Sequence, residues 1–148
     1  MILRFHHTRG ANSGNFGLYL GAGALVTVSQ TLATNVGAEY TLDYWLFNQG
    51  GTPNYFAAVW DGAVVPGSDL TNTGAQPFTE YTFTVTATSI STALGFSSYQ
   101  GPNSWSLDDI SVTDPAPEPG GFVLAAAGLA LLRLRRRNAG PAKADTCN

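Results

Sequence analysis

Residues 81–87 read Tyr81-Thr82-Phe83-Thr84-Val85-Thr86-Ala87, with Tyr81, Phe83, Val85 and Ala87 on one side of an extended chain and the threonines on the other. A period of two is the mark of a half-buried β-strand. The same grammar runs from residue 16 to residue 113. In 40–47, Tyr40, Leu42, Tyr44 and Leu46 share one face while Trp45 and Phe47 add bulk to the other. That segment is either a central strand buried on both sides or one with an aromatic binding face. Residues 55–60, then Asp61-Gly62, then 63–65 read as a hairpin, because Asp-Gly supplies the positive-φ positions of a two-residue turn. Ile90, Thr92, Leu94 and Phe96 alternate in a further strand. Across Asp108-Asp109 the apolar positions shift from odd (Trp105, Leu107) to even (Ile110, Val112), which predicts a bulge or a change of facing. Residues 17–20 and 24–32 supply earlier strands, and 48–54 and 72–74 carry turn chemistry. Seven or eight short strands without an amphipathic helix predict an all-β, antiparallel β-sandwich.

Charge is sparse and segregated. Asp, Glu, Lys and Arg make up only 11% of the 148 residues, and no Lys or Arg occurs between Gly10 and Leu132, where nine carboxylates lie. Phosphate binding needs cations on the folded surface, so nucleic acid is excluded as an expected partner. The single cysteine, Cys147, can form no internal disulfide.

The chain divides into an irregular segment 1–15, a sandwich domain 16–113, a Pro/Gly linker 114–121, a hydrophobic, transmembrane-like helix 122–132 and a basic tail 133–148. The linker carries Pro117-Glu118-Pro119, and the apolar run ends in Arg133, Arg135, Arg136 and Arg137. As a helix, its eleven residues cover about 17 Å against roughly 30 Å of hydrocarbon, which suits a transient anchor better than a permanent span. The arginines set topology by the positive-inside rule, leaving the sandwich outside. The opening Met1-Ile2-Leu3-Arg4-Phe5-His6-His7 lacks the apolar stretch of a secretory signal. An exit-side signal without an export signal implies an N-terminus missing from this sequence.

The tripeptide, apolar run and arginines, in that order, resemble the PEP-CTERM sorting signal of Gram-negative bacteria that make extracellular polysaccharide. The resemblance covers residues 117–137 and implies export, membrane tethering and processing by an exosortase at Pro117, Glu118 and Pro119. The run here is short, and residues 138–148 continue past the arginines, both departures from that pattern. The body, through 28–34, 40–45, 48–54, 81–87 and 105–112, resembles the jelly-roll, galactose-binding-like domain that often precedes such tails. Domains of that kind begin with further strands, which nothing before Phe16 supplies.

Chemistry for catalysis is thin. His6 and His7 lie in the irregular start, Cys147 lies in the tail, and no nucleophile-elbow, metalloprotease or P-loop pattern occurs. A non-enzymatic protein without a cofactor is expected. Asp108 and Asp109 read first as acids of a bulge; the resemblance adds a structural calcium there as the alternative. Sugar binding would stack aromatics and orient hydroxyls with amides and carboxylates. Tyr55, Tyr99 and Trp60, with Asn54 and Asp61, are the candidates, and Asn103 is a further orienting group. Trp45 and Trp105 are read as core. The expectation is an exported cell-surface or matrix protein, with a carbohydrate-binding module for matrix polysaccharide and a structural adhesin as alternatives.

Overall fold

Period-two segments joined by Gly-, Asn- and Pro-containing turns form strands throughout the described chain. The structure, a computed structural model, describes residues 4–7 and 11–114. Its strands are β1 (Arg4–His7), β2 (Phe16–Leu20), β3 (Val26–Ala33), β4 (Glu39–Asn48), β5 (Asn54–Trp60), β6 (Ala63–Val64), β7 (Leu70–Thr71), β8 (Gln76–Thr86), β9 (Ser91–Gln100) and β10 (Trp105–Thr113). They make two antiparallel sheets, one in the order β1-β2-β10-β4-β8 and one in the order β3-β9-β5-β6, with β7 also on β5. Taking β6 and β7 as one interrupted strand, β2 to β10 follow the strand order of a jelly roll, changing sheet at every step except from β5 to β6. The described residues belong to a compact unit that ends at Pro115.

The two inner faces make the core. Tyr40, Leu42, Tyr44 and Leu46 of β4 meet Phe56, Ala58 and Trp60 of β5, Leu94 and Phe96 of β9, and Trp105 and Leu107 of β10. Tyr44 and Phe96 meet edge-on at 5.2 Å, and Phe56 packs on Trp105 at 5.5 Å. Each such side chain contributes roughly 1.5–3 kcal/mol of transfer free energy. Register holds this face together: β8 sets Val85, Phe83 and Tyr81 opposite Tyr40, Leu42 and Tyr44. The expected inward face of 81–87 is therefore observed.

Three local features match the sequence reading. Asp61 (φ 51°) and Gly62 (φ 83°) make the hairpin turn, with Val59 opposite Val64. The ladder between β10 and β4 slips between Asp108 and Ser111, and Asp109 sits at φ 48°. Thr92, Leu94 and Phe96 face inward in β9, although Ile90 lies outside that strand and is 75% exposed. One element differs from expectation. Residues 4–7, read as irregular, form β1, which pairs with β2 from Arg4 opposite Tyr19 to His7 opposite Phe16. Four residues containing two histidines carry no clear alternation, and only the free edge of β2 gives them a partner. Pro117, Glu118, Pro119, the run 122–132 and Arg133, Arg135, Arg136 and Arg137 lie outside the described residues, among which no helix is long and apolar enough to cross a membrane.

Candidate functional site

The residues named from sequence do not gather at one place. Trp60 is buried, packs on Tyr40 at 6.0 Å and donates its indole N–H to the Thr86 carbonyl at 2.9 Å. It has no surface to offer a ligand, which corrects its assignment. Asn54 is also buried, at one end of β5. Its Nδ2 donates to the carbonyls of Gly51 (2.6 Å) and Thr73 (2.8 Å), and its Oδ1 accepts the Thr73 N–H. This side chain is spent on joining two loops, as are Asn48, Gln100 and Asn103, whose amides donate to Thr73 and Gly74, to Gly50, and to Gly50 again. Asp61 is exposed at the opposite end of β5, about 20 Å from Asn54 at a strand's rise per residue, and accepts a hydrogen bond from Thr88.

Tyr55 and Tyr99 do come together. They are directly opposite in the ladder between β5 and β9, both half-buried on the outer face of the second sheet, with Thr71 of β7 beside Tyr55. Their strand neighbours Phe56 and Gln100 point inward, so the alternation that buries those residues turns the tyrosines out.

Asp108 and Asp109 converge on one segment because of the bulge. Asp108 Oδ2 accepts the backbone N–H groups of Asn12 (2.6 Å) and Ser13 (3.1 Å). Asp109 accepts the Ser13 hydroxyl (2.5 Å) and the Asn12 amide (3.0 Å). These bonds, the hydroxyl first, hold the Asp109 carboxyl below its ordinary value. The pair thus fastens the 12–13 turn to β10. Among the described residues no cluster of three or more His, Cys, Asp or Glu is present.

A further surface lies on the outer face of the first sheet, where the sequence of 40–47 reads either as buried on both sides or as carrying an aromatic binding face. Trp45, read as core, alternates with the fully buried Tyr44 and Leu46 and is half-buried on the outer side. Its ladder neighbours are Asp108 on β10 and Glu80 on β8. One pair further along β4, Phe47 lies opposite Ser106, which lies opposite Tyr19 of β2. Phe47 packs on Phe78 with ring centroids 5.5 Å apart. In the other direction Asp43 stands between Ser111 and Thr82. Aromatic positions and carboxylates therefore share one face, about 5 Å apart across strands and about 7 Å along them. Such a face can stack a ligand's apolar side and accept hydrogen bonds from its hydroxyls. The signal was present in the sequence as the bulky second face of 40–47. By contrast Trp105 is fully buried, as read.

No family model matches the chain, and no curated protein matches it. Solved structures do match. The enzymatically active domain of tailspike protein 4 from bacteriophage CBA120 gives a TM-score of 0.52 at 12% identity, over 68% of this chain and 16% of its own. The EclA C-terminal domain, a sugar-binding protein, gives 0.49 at 14% identity, over 62% of this chain and 79% of its own. TmCBM61 in complex with beta-1,4-galactotriose gives 0.47 at 12% identity, over 72% of this chain and 75% of its own. At 12% identity the likeness to the tailspike domain is one of fold alone.

Proposed function

We propose that this chain is a carbohydrate-binding β-sandwich, and that it holds polysaccharide on the outer face of the first sheet. The observation that carries the reading is Trp45, outward-facing and in register between Asp108 and Glu80, with the Phe47–Phe78 pair beside it. Trp45 and Phe47 would stack on sugar rings, while Asp43 and Glu80 would accept their hydroxyls. The strands that carry these side chains, β4, β8 and β10, contain carboxylates and no Lys or Arg, so this part of the face favours neutral glycans over acidic ones. The Tyr55–Tyr99 pair on the other sheet is a second, smaller candidate surface.

Delivery rests on the tail. In this reading an exosortase-type enzyme acts at Pro117, Glu118 and Pro119, the run 122–132 tethers the chain, and Arg133, Arg135, Arg136 and Arg137 stay in the cytoplasm. The sandwich then reaches the cell surface or matrix. Intact-mass measurement in a host bearing an exosortase checks this: loss of everything beyond the tripeptide is expected, and a product still carrying Arg137 refutes it.

A glycan array followed by titration calorimetry on the chain tests binding. Trp45→Ala should weaken the best neutral glycan by about tenfold or more, as loss of a central aromatic anchor does. Tyr99→Ala is the control on the other sheet. No retained glycan, or equal affinity for Trp45→Ala and wild type, overturns the assignment of this face; loss on Tyr99→Ala alone moves the site to the second sheet.

A further inference from the structure

Sheet edges carry unpaired backbone groups, and proteins blunt them with short strands, prolines, charges or bulges. Among the described residues this sandwich does so at most of its edges. At the β5 edge of the second sheet, β6 and β7 are two residues each. The edge strand β8 carries Pro77 and Glu80 and a register shift against β4. The remaining edge of the second sheet is β3, Val26-Thr27-Val28-Ser29-Gln30-Thr31-Leu32-Ala33, and it has none of these devices. Its eight residues include no charge and no proline, and they pair in unbroken register with β9 on their other side.

The apolar surface gathers along the same side. An open cleft of about 760 Å³ lies between the sheets here, lined by Leu18, Val28, Leu32, Leu107, Ile110 and Val112 among others. Leu25 (63% exposed) precedes β3, Val36 (66%) follows it, and Ile90 (75%) sits beside its end, where the Thr34 N–H donates to the Ile90 carbonyl. Isolated exposed apolar residues are ordinary, but several ranged along one unprotected edge mark an interaction site.

We infer that β3 pairs antiparallel with β3 of a second copy, joining two second sheets into one and covering the cleft mouths. The occupant is set by self-complementarity. Directly opposite residues in an antiparallel pair point to the same face, and in β3 the even residues oppose inward-facing Phe96 and Leu94 of β9. Registers that keep faces matched therefore pair even with even. Centring the dyad on Gln30 sets Val28 opposite Leu32 of the copy on the inner face, and Ser29 opposite Thr31 on the outer. Electrostatics point to the same edge. The strand carboxylates lie on β4, β8 and β10 of the first sheet, where like charges oppose self-association, whereas β3 and β9 carry no charge and bring none to the contact.

Sedimentation velocity on the full chain, from about 1 to about 100 μM at fixed detergent concentration, tests this. The wild type should sediment as a dimer at the upper end. Ser29→Lys with Thr31→Lys sets like charges opposite each other across the dyad, and this variant should be monomeric at every concentration, with the wild-type unfolding midpoint at about 1 μM, where the wild type is itself dissociated. Ser29→Lys with Thr31→Glu sets opposite charges there, and dimerisation should return. The unfolding midpoint separates lost association from lost folding. A wild type that stays monomeric, a double-lysine variant that still dimerises, or a folded Lys/Glu variant that does not re-associate overturns the proposal.

Discussion

Removing one oxygen from the centre of the core should make this protein more stable. Tyr44 is fully buried, and its ring touches Phe56, Tyr81, Phe83 and Phe96 at centroid distances of 5.2 to 6.1 Å. Among the described residues its hydroxyl has no hydrogen-bond partner. A buried hydroxyl left unpaired costs about 1–3 kcal/mol relative to one in water. Tyr44→Phe keeps the ring packing and removes that cost, at the expense of a void smaller than a methyl group. A net gain of about 1 kcal/mol is expected, which raises the melting temperature by roughly 4–8 °C in a domain of this size. Urea unfolding followed by tryptophan fluorescence measures it. The pH dependence gives an independent readout. Burial, with Tyr81 adding to it, pushes the Tyr44 phenol well above its ordinary value. The folded chain then keeps a proton that the unfolded chain releases above about pH 10. Wild-type stability should thus be intact below that pH and fall above it, by about 1.4 kcal/mol per unit from this group. The phenylalanine variant lacks the group, so the gap between the two proteins should widen at high pH. A variant less stable than wild type by 1 kcal/mol or more at pH 7, or a gap that stays constant from pH 9 to 11, would refute the reasoning.

The loop cluster, the bulge and the core make further tests. Gly51 sits at φ 86°, and a Cβ there would lie 2.6 Å from Pro102 Cγ; Gly51→Ala should cost about 1–3 kcal/mol, read from the urea midpoint. The Asp109 carboxyl is held down chiefly by the Ser13 hydroxyl. Its contribution is therefore present above the ordinary carboxylate value and is lost as pH falls through the lower folded one. Ser13→Ala should shift the Asp109 titration, followed by carboxyl carbon NMR, upward toward the ordinary value; no movement would remove the hydroxyl as the cause. Trp105→Ala should destabilise by about 3–5 kcal/mol, whereas Trp45→Ala, on the outer face, should cost much less; equal losses would contradict the assignment of their faces.

Much of the fold was legible because strand faces are written two residues apart. The inward set of 81–87 and the Asp61-Gly62 turn follow from spacing and from the steric demands of positive φ. The bulge at Asp108-Asp109 follows from a parity shift that no regular strand can absorb. The candidate site was less legible. Both faces of 40–47 are bulky, and nothing within those residues says which face the other sheet covers. Trp60 and Asn54 look like surface residues beside turns. Their neighbours across space, the Thr86 carbonyl and the Gly51 and Thr73 backbone, take them inside.

The sequence by itself determined the all-β class, which residues of a strand share a face, the turn positions and a described body whose charges, outside 4–7, are all negative. These are consequences of local stereochemistry and composition, which hold wherever the chain goes. Only the tertiary structure decided that Trp45 faces outward between Asp108 and Glu80, that Tyr55 meets Tyr99, and that β3 lies at an unprotected edge. Those facts depend on which strands become neighbours. That choice is made by burial of one shared core between residues far apart in the chain, and no short window of sequence contains it.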